Sequence, residues 1–153
     1  MANRERLYTS RRRAIVDAIV DKLKDIDGSG EYLTSVYGNV FPTVRYWDEI
    51  TDFPAIHINT GLETREYQTA KYKDRFLTVT ITCYVQDDRD SGEELDKLIE
   101  DVETVLEENA RLKYYDRRGA CQMTKELTIL SIDTDEGVLD PIAVAEIVIQ
   151  IQY

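Results

Sequence analysis

The sequence predicts an α+β fold: a mainly antiparallel β-sheet with two helices packed on one face and a protruding β-hairpin. Two stretches repeat apolar residues at helical spacing, while four others look extended, two of them with strict two-residue alternation. Their order of helix, loop, strands, helix, strands suits helices layered on one side of an antiparallel sheet. A length of 153 residues predicts one domain, residues 1–153, burying roughly 68–70% of what the unfolded chain exposes. An apolar fraction of 42% and ten tyrosines are too high for a disordered acidic chain. No linker, internal repeat or low-complexity stretch divides it.

The first helix rests on Ile15, Val16, Ile19, Val20, Leu23 and Ile26, and Gly28-Ser29-Gly30 stops the pattern. A cap at Ser10 would crowd Arg11, Arg12 and Arg13 onto the positive end of the helix dipole, at ~0.3–1 kcal/mol each. The start is therefore placed near Asn3, with the arginines mid-helix. Residues 55–59 read as a strand. Residues 62–68 alternate weakly and join the next strand through Thr69-Ala70-Lys71-Tyr72, a hairpin over 62–78 whose distal part has too few apolar residues to reach a core. Along 76–86, Leu77, Val79, Ile81, Cys83 and Val85 point one way and Thr78, Thr80, Thr82 and Tyr84 the other, as in a half-buried antiparallel strand.

The second helix, from Gly92 to about Asn109, carries a stripe of Leu95, Leu98, Ile99, Val102, Val105 and Leu106, with most of its acidic residues off that stripe. Ser91 and Glu94 fit a capping box. Residues 120–133 and 144–152 complete the sheet, the latter alternating Ala145, Ile147, Ile149 and Ile151 against Glu146, Gln150 and Gln152.

A net charge of −11 argues against a general nucleic-acid binder, whose affinity comes from cations that displace phosphate counterions. It disfavours anionic membranes too. No run of 18 apolar residues exists, and residues 1–13 are charged without an apolar stretch, so neither a membrane span nor a signal peptide is expected. Cys83 and Cys121, each in a strand-like segment, read as reduced, mostly buried thiols. Their spacing fits no zinc pattern. His57, between Ile56 and Ile58, reads as a partly exposed strand residue with no orienting partner nearby in sequence.

The run Asp87-Asp88-Arg89-Asp90-Ser91-Gly92-Glu93-Glu94 suggests a hard-cation loop, but Gly92 stands where an EF-hand needs an oxygen ligand. Helix capping explains it more simply. No phosphate-binding loop, dinucleotide fingerprint or nucleophile elbow is present, so the sequence implies no cofactor and gives no positive support for an enzyme.

Charge is unevenly placed. Residues 1–13 hold five arginines and one glutamate, a net +4, leaving −15 on the other 140 residues. Arg4, Arg6, Arg11, Arg12 and Arg13 form either a solvated helical face or a contact with an acidic neighbouring subunit; Glu100, Glu103 and Glu107 of another copy supply such a surface. Repeated by rotation, that heterologous pairing closes into a ring. The hairpin carries Tyr67, Gln68, Lys71 and Tyr72 around a polar tip, which suits an interface or plain solvation equally. An acidic channel, in turn, would let DNA pass without sticking.

Several segments resemble a known family. Tyr32-Leu33, Tyr37-Gly38-Asn39-Val40, Glu49-Ile50 with Phe53-Pro54, and Thr134-Asp135-Glu136-Gly137-Val138-Leu139 with Pro141 and Ala145-Glu146 are similar, in order and spacing, to the tail terminator (tail completion) proteins of long-tailed siphophages. The resemblance implies a homo-hexameric ring in the virion that caps the head-proximal end of the tail tube. Such a ring stops tube polymerisation, offers the head-joining surface and lets DNA pass through its lumen without specific binding. It implies two partners, the tail tube protein and a head-completion (neck) protein, with assembly in the host cytoplasm. No catalytic or ligand motif comes with it.

A terminator needs one face that matches the tube and one that refuses further growth. Arg11, Arg12, Arg13, Glu100, Glu103 and Glu107 are the candidates for lateral contact. Tyr67, Gln68, Lys71 and Tyr72, with Arg117 and Arg118 in the 111–121 loop, are those for axial contact. Another neck or tail-tube subunit is the nearest alternative; a small metal-dependent hydrolase or nuclease using the cluster from Asp87 to Asp90 is the alternative of a different class.

Overall fold

The computed structural model describes residues 8–153. Two helices, α1 (Arg11–Leu23) and α2 (Ser91–Glu108), accompany β1 (Val40–Phe41), β2 (Ala55–Tyr67), β3 (Lys73–Gln86), β4 (Lys113–Tyr115), β5 (Cys121–Met123), β6 (Glu126–Thr134) and β7 (Ile142–Gln152). Five strands form one sheet in the order β1-β2-β3-β7-β6, and β4-β5 form a second small sheet. Every pairing is antiparallel except β1 with β2, so the main sheet is mixed.

The alternation read from β3 and β7 becomes the core. Leu77, Val79, Ile81, Cys83 and Val85 lie beside Ala143, Ala145, Ile147, Ile149 and Ile151 on the face that both helices cover, each nearly or fully inaccessible. Ile15, Val16, Ile19, Val20 and Leu23 of α1 and the predicted stripe of α2 complete one apolar cluster. β2 and β3 pair from Ala55↔Tyr84 to Tyr67↔Lys73, with a register shift between Thr60 and Glu63, and beyond that shift the hairpin is largely exposed.

Several expectations need correction. The first helix begins at Arg11, where Ser10 has extended backbone and its Oγ accepts from the Arg13 amide at 3.3 Å. A start near Asn3 lies outside the described residues, but the extended Ser10 interrupts any such helix. The cap is worth about 1 kcal/mol, and two of the three arginines find acceptors: Arg12 on the Gly61 carbonyl (2.9 Å), Arg13 on the Pro42 carbonyl (3.2 Å) and Asp17 (3.4 Å). The helix also stops early. Beyond Lys24 the chain tightens through Asp25 N–H to Lys22 O and Ile26 N–H to Leu23 O, and the Ile26 carbonyl then accepts from Val36, so Ile26 is buried from outside the helix.

α2 is capped by Asp90, whose carboxylate accepts from the Glu93 amide at 3.0 Å, rather than by Ser91. Ser91 Oγ instead donates to Asp140 at 2.9 Å. The stretch 120–133 is two strands in different sheets, because the Thr124 amide and hydroxyl both bond to Leu112 while Lys125 turns its amide to Gln152. Cys83 is buried, its thiol pushed up to about 12 by desolvation, but Cys121 is exposed in β5. β1 and β4, too short to show a period, carry no sequence signal.

His57 is buried too. Its Nδ1 accepts from the Arg45 amide at 3.2 Å, and the Tyr84 hydroxyl donates to the Arg45 carbonyl at 3.1 Å. These bonds hold residues 41–46 over the outer face of the sheet. On the helix side, the buried Asp101 carboxylate accepts from the amides of Leu33 (2.9 Å) and Thr34 (2.7 Å) and from the Thr34 hydroxyl (2.5 Å), tying the 31–36 segment to α2.

Asp101→Ala leaves those donors without an acceptor and should cost about 3 kcal/mol, read as a lower denaturation midpoint. His57 provides a second test. Burial holds its pKa below the ordinary imidazole value, so the unfolded chain takes up a proton near pH 6.5 before the folded one does. Stability should therefore fall between pH 7.5 and about 5.5, and His57→Gln should flatten that slope in chemical denaturation.

Candidate interaction surface

The β4–β5 turn, the residues before α1, the base of the β2–β3 hairpin and the C-terminal residue meet in a groove of about 550 Å³. Six arginines line it: Arg11, Arg12, Arg65, Arg75, Arg117 and Arg118. Gly119 lets Tyr8 lie close at one side of the groove. The glycine takes φ +78°, a backbone conformation that favours glycine, and a Cβ there would lie 2.7 Å from the Tyr8 ring and push it aside. Tyr8 also packs against Tyr115 at 6.4 Å between centroids, and Arg11 and Arg12 line the groove together with Arg117 and Arg118.

Two carboxylates face these cations, and both are engaged within the subunit. Asp116 accepts from the amides of Arg118 (2.9 Å) and Ala120 (3.0 Å) and from Gln122 Nε2 (3.3 Å). The Ala120 and Arg118 amides hold its carboxyl below the ordinary range. Glu63 pairs with Arg65 at 2.9 Å and accepts from the Tyr153 hydroxyl. Burial works against the Glu63 charge, but the bonds from Tyr153 and Arg65 prevail and its carboxyl titrates low; Tyr153, desolvated and beside that charge, is pushed up to about 12.

Arg75 stacks on the Tyr153 ring at 5.5 Å, and its Nε is buried without a hydrogen-bond partner. Among the described residues, Arg11, Arg75, Arg117 and Arg118 make no ion pair. The groove thus joins residues assigned in sequence to two different contacts, Arg11 and Arg12 to one and Arg117 and Arg118 to the other. Arg13 is turned away, toward Pro42 and Asp17. Sequence reasoning missed Arg65 and Arg75, which sit in a strand pattern that gives no hint of a shared pocket.

Glu100, Glu103 and Glu107 lie on the side of α2 opposite its buried stripe, with Asp96 in line one turn earlier. None of the four has an ion-pair partner among the described residues; Lys97, the one cation on the helix, is taken by Glu93 and Glu94. At the hairpin end, Tyr67 and Tyr72 are 73% and 75% exposed, with Gln68 and Lys71 open to solvent between them. The acidic run before α2 is a turn and a cap: Asp87 accepts from the amides of Arg89 and Asp90, and Asp90 from that of Glu93. Among the described residues no group of three or more His, Cys, Asp or Glu side chains is placed to hold a metal ion, and no helix is long and apolar enough to cross a membrane.

The described surface thus pairs an arginine-lined groove with an acidic outer face of α2 on a five-stranded α+β fold. Residues 9–153 match the family described as Bacteriophage Tail Tube Terminator Protein, and the chain belongs to that family. It is 34% identical over 150 residues to the tail tube terminator protein of Escherichia phage T5, covering 93% of this chain and 92% of that one. A chain in the solved virion of a native gene transfer agent particle shares the fold at TM-score 0.51 and 10% identity, over 91% of this chain and 93% of the other.

Asp116→Ala should free the Arg118 and Ala120 amides and speed their hydrogen exchange by at least about tenfold, with the core amides unchanged. Because the folded carboxyl titrates low, wild-type protection at these amides should persist through the usual carboxylate range and fade only below it.

Proposed function

We propose that this protein is a structural component of a phage tail: a single-domain subunit that assembles into a hexameric ring on the head-proximal end of the tail tube. There it stops tube growth, presents the surface that the neck protein joins and leaves a lumen through which DNA passes without specific binding. The observation that carries this reading is the match of residues 9–153 to the tail tube terminator family. The surface supports it, since Asp87, Asp90 and Asp116 are engaged in turns and a cap, while Arg11, Arg117 and Arg118 and the outer glutamates of α2 make no ion pair among the described residues.

In this reading the subunit makes and breaks no covalent bond. Arg11, Arg12 and Arg13, with Glu100, Glu103 and Glu107, serve contacts around the ring. The hairpin residues Tyr67, Gln68, Lys71 and Tyr72, with Arg117 and Arg118, serve contacts along the tube axis. Two exposed tyrosines offer large contact area at low entropic cost.

Negative-stain images of the purified protein, alone and mixed with its tube protein, test the reading. Sixfold rings or capped tube ends are expected, with tubes ceasing to lengthen once the protein is added. A sample that stays monomeric in both conditions, with tubes that keep growing, would sink it.

A further inference from the structure

We infer that the arginine groove is a carboxylate receptor and that its occupant is the acidic outer stripe of α2 from a second copy of this chain. The inference rests on the ring reading above and names the partner of its charged contact. It also moves Arg117 and Arg118 from the tube axis to the ring's circumference and leaves Arg13 outside the contact.

Three features of the groove have the same sign error. Arg11, Arg117 and Arg118 are exposed and unpaired among the described residues, while Glu63 and Asp116 already serve other donors. The Arg75 Nε is buried without an acceptor, a condition that folded proteins rarely tolerate. α1 opens with three arginines and no acid in its first turn, against the preference of a helix N-terminus for negative charge. An array of carboxylate oxygens at the groove mouth answers the first and the third at once, and adds negative charge beside the Arg75 guanidinium.

The same chain carries the complement. Asp96, Glu100, Glu103 and Glu107 make one stripe of unpaired carboxylates, and from Glu100 to Glu107 it runs about 10 Å at the helical rise. The planar forks of Arg117 and Arg118 suit carboxylates bidentately. Groove and stripe are separate patches that form no ion pair with each other within the subunit, so their union is head-to-tail, the kind of contact that closes into a ring when the rotation permits. A duplex is a poorer occupant. Charges beyond a Debye length of about 8 Å are screened, so a docked helix brings only its stripe to the groove, whereas a long phosphate rod also meets the acidic flanks of a chain with net charge −11.

The test is a charge swap. One variant carries Arg11→Glu, Arg117→Glu and Arg118→Glu; the other carries Glu100→Arg, Glu103→Arg and Glu107→Arg. Circular dichroism melts verify folding, and the milder pair Arg117→Gln and Arg118→Gln serves if the triple groove variant melts early. Each variant alone should assemble at least about tenfold more weakly than wild type by sedimentation velocity, and an equimolar mixture of the two should regain assembly as alternating copies. Variants that assemble like wild type, or a mixture that does not recover, would overturn the inference and leave the ring reading standing. Wild type that never assembles, alone or on tubes, fells the ring reading itself. Groove reversal that abolishes binding of a short DNA duplex while rings persist would make the groove a phosphate site instead, and would equally overturn the inference.

Discussion

The register of β3 against β7 is the constraint from which the rest follows. The two strands pair without a break from Gln86↔Ile142 to Phe76↔Gln152, and every inward residue between those ends is nearly or fully buried. A slip of one residue would send the whole set to the opposite face, so the apolar period locks the pairing in place. What lies past the ends is then determined. Arg75 and Tyr153 exchange backbone hydrogen bonds at 2.9 and 3.2 Å just beyond the last pair, which puts the guanidinium over the phenol ring and both at the mouth of the groove. β3 continues outward past that point with β2, and the hairpin leaves the sheet there.

That architecture separates two kinds of polar residue. Asp87, Asp90, Asp101 and Asp116 accept from backbone amides of their own chain, and each shapes a turn, a cap or a crossing. The side chains of Arg11, Arg117 and Arg118, and of Glu100, Glu103 and Glu107 on the back of α2, make no hydrogen bond or ion pair among the described residues. Like charges held near one another without partners repel, which costs the folded subunit a little stability. The conflict at the start of α1 belongs to this second kind: Ser10 fixes where the helix begins although dipole energetics argue for a different start.

The parts of the fold legible in the sequence were those written in a period. The stripe of α2, the alternation of Leu77 to Val85 and of Ala145 to Ile151, and the polar hairpin beyond them rest on burial of one face, which a sequence displays directly. Boundaries decided by single hydrogen bonds were not legible: Asp90 rather than Ser91 as the cap, Ser10 as a helix start, and Thr124 breaking one strand into two. His57 and Cys121 exchanged the exposures expected of them, because a strand residue's outer side is covered or bare according to which loop lies over it. The groove was legible in charge but not in geometry. Arg11 and Arg117 are far apart along the chain, and the packing of α1 against β4 makes them neighbours.

β6 forms one margin of the main sheet, with β7 on one side and no strand of the described residues on the other. Its ladder shifts between Ile129 and Ser131, and Glu126 and Asp133 stand near its two ends. A stranger's strand laid along this margin would fall out of step halfway and meet like charge at the tips. Sheet-to-sheet growth without end, the usual hazard of crowding many copies of a β-rich chain into one place, is thereby discouraged at the backbone level.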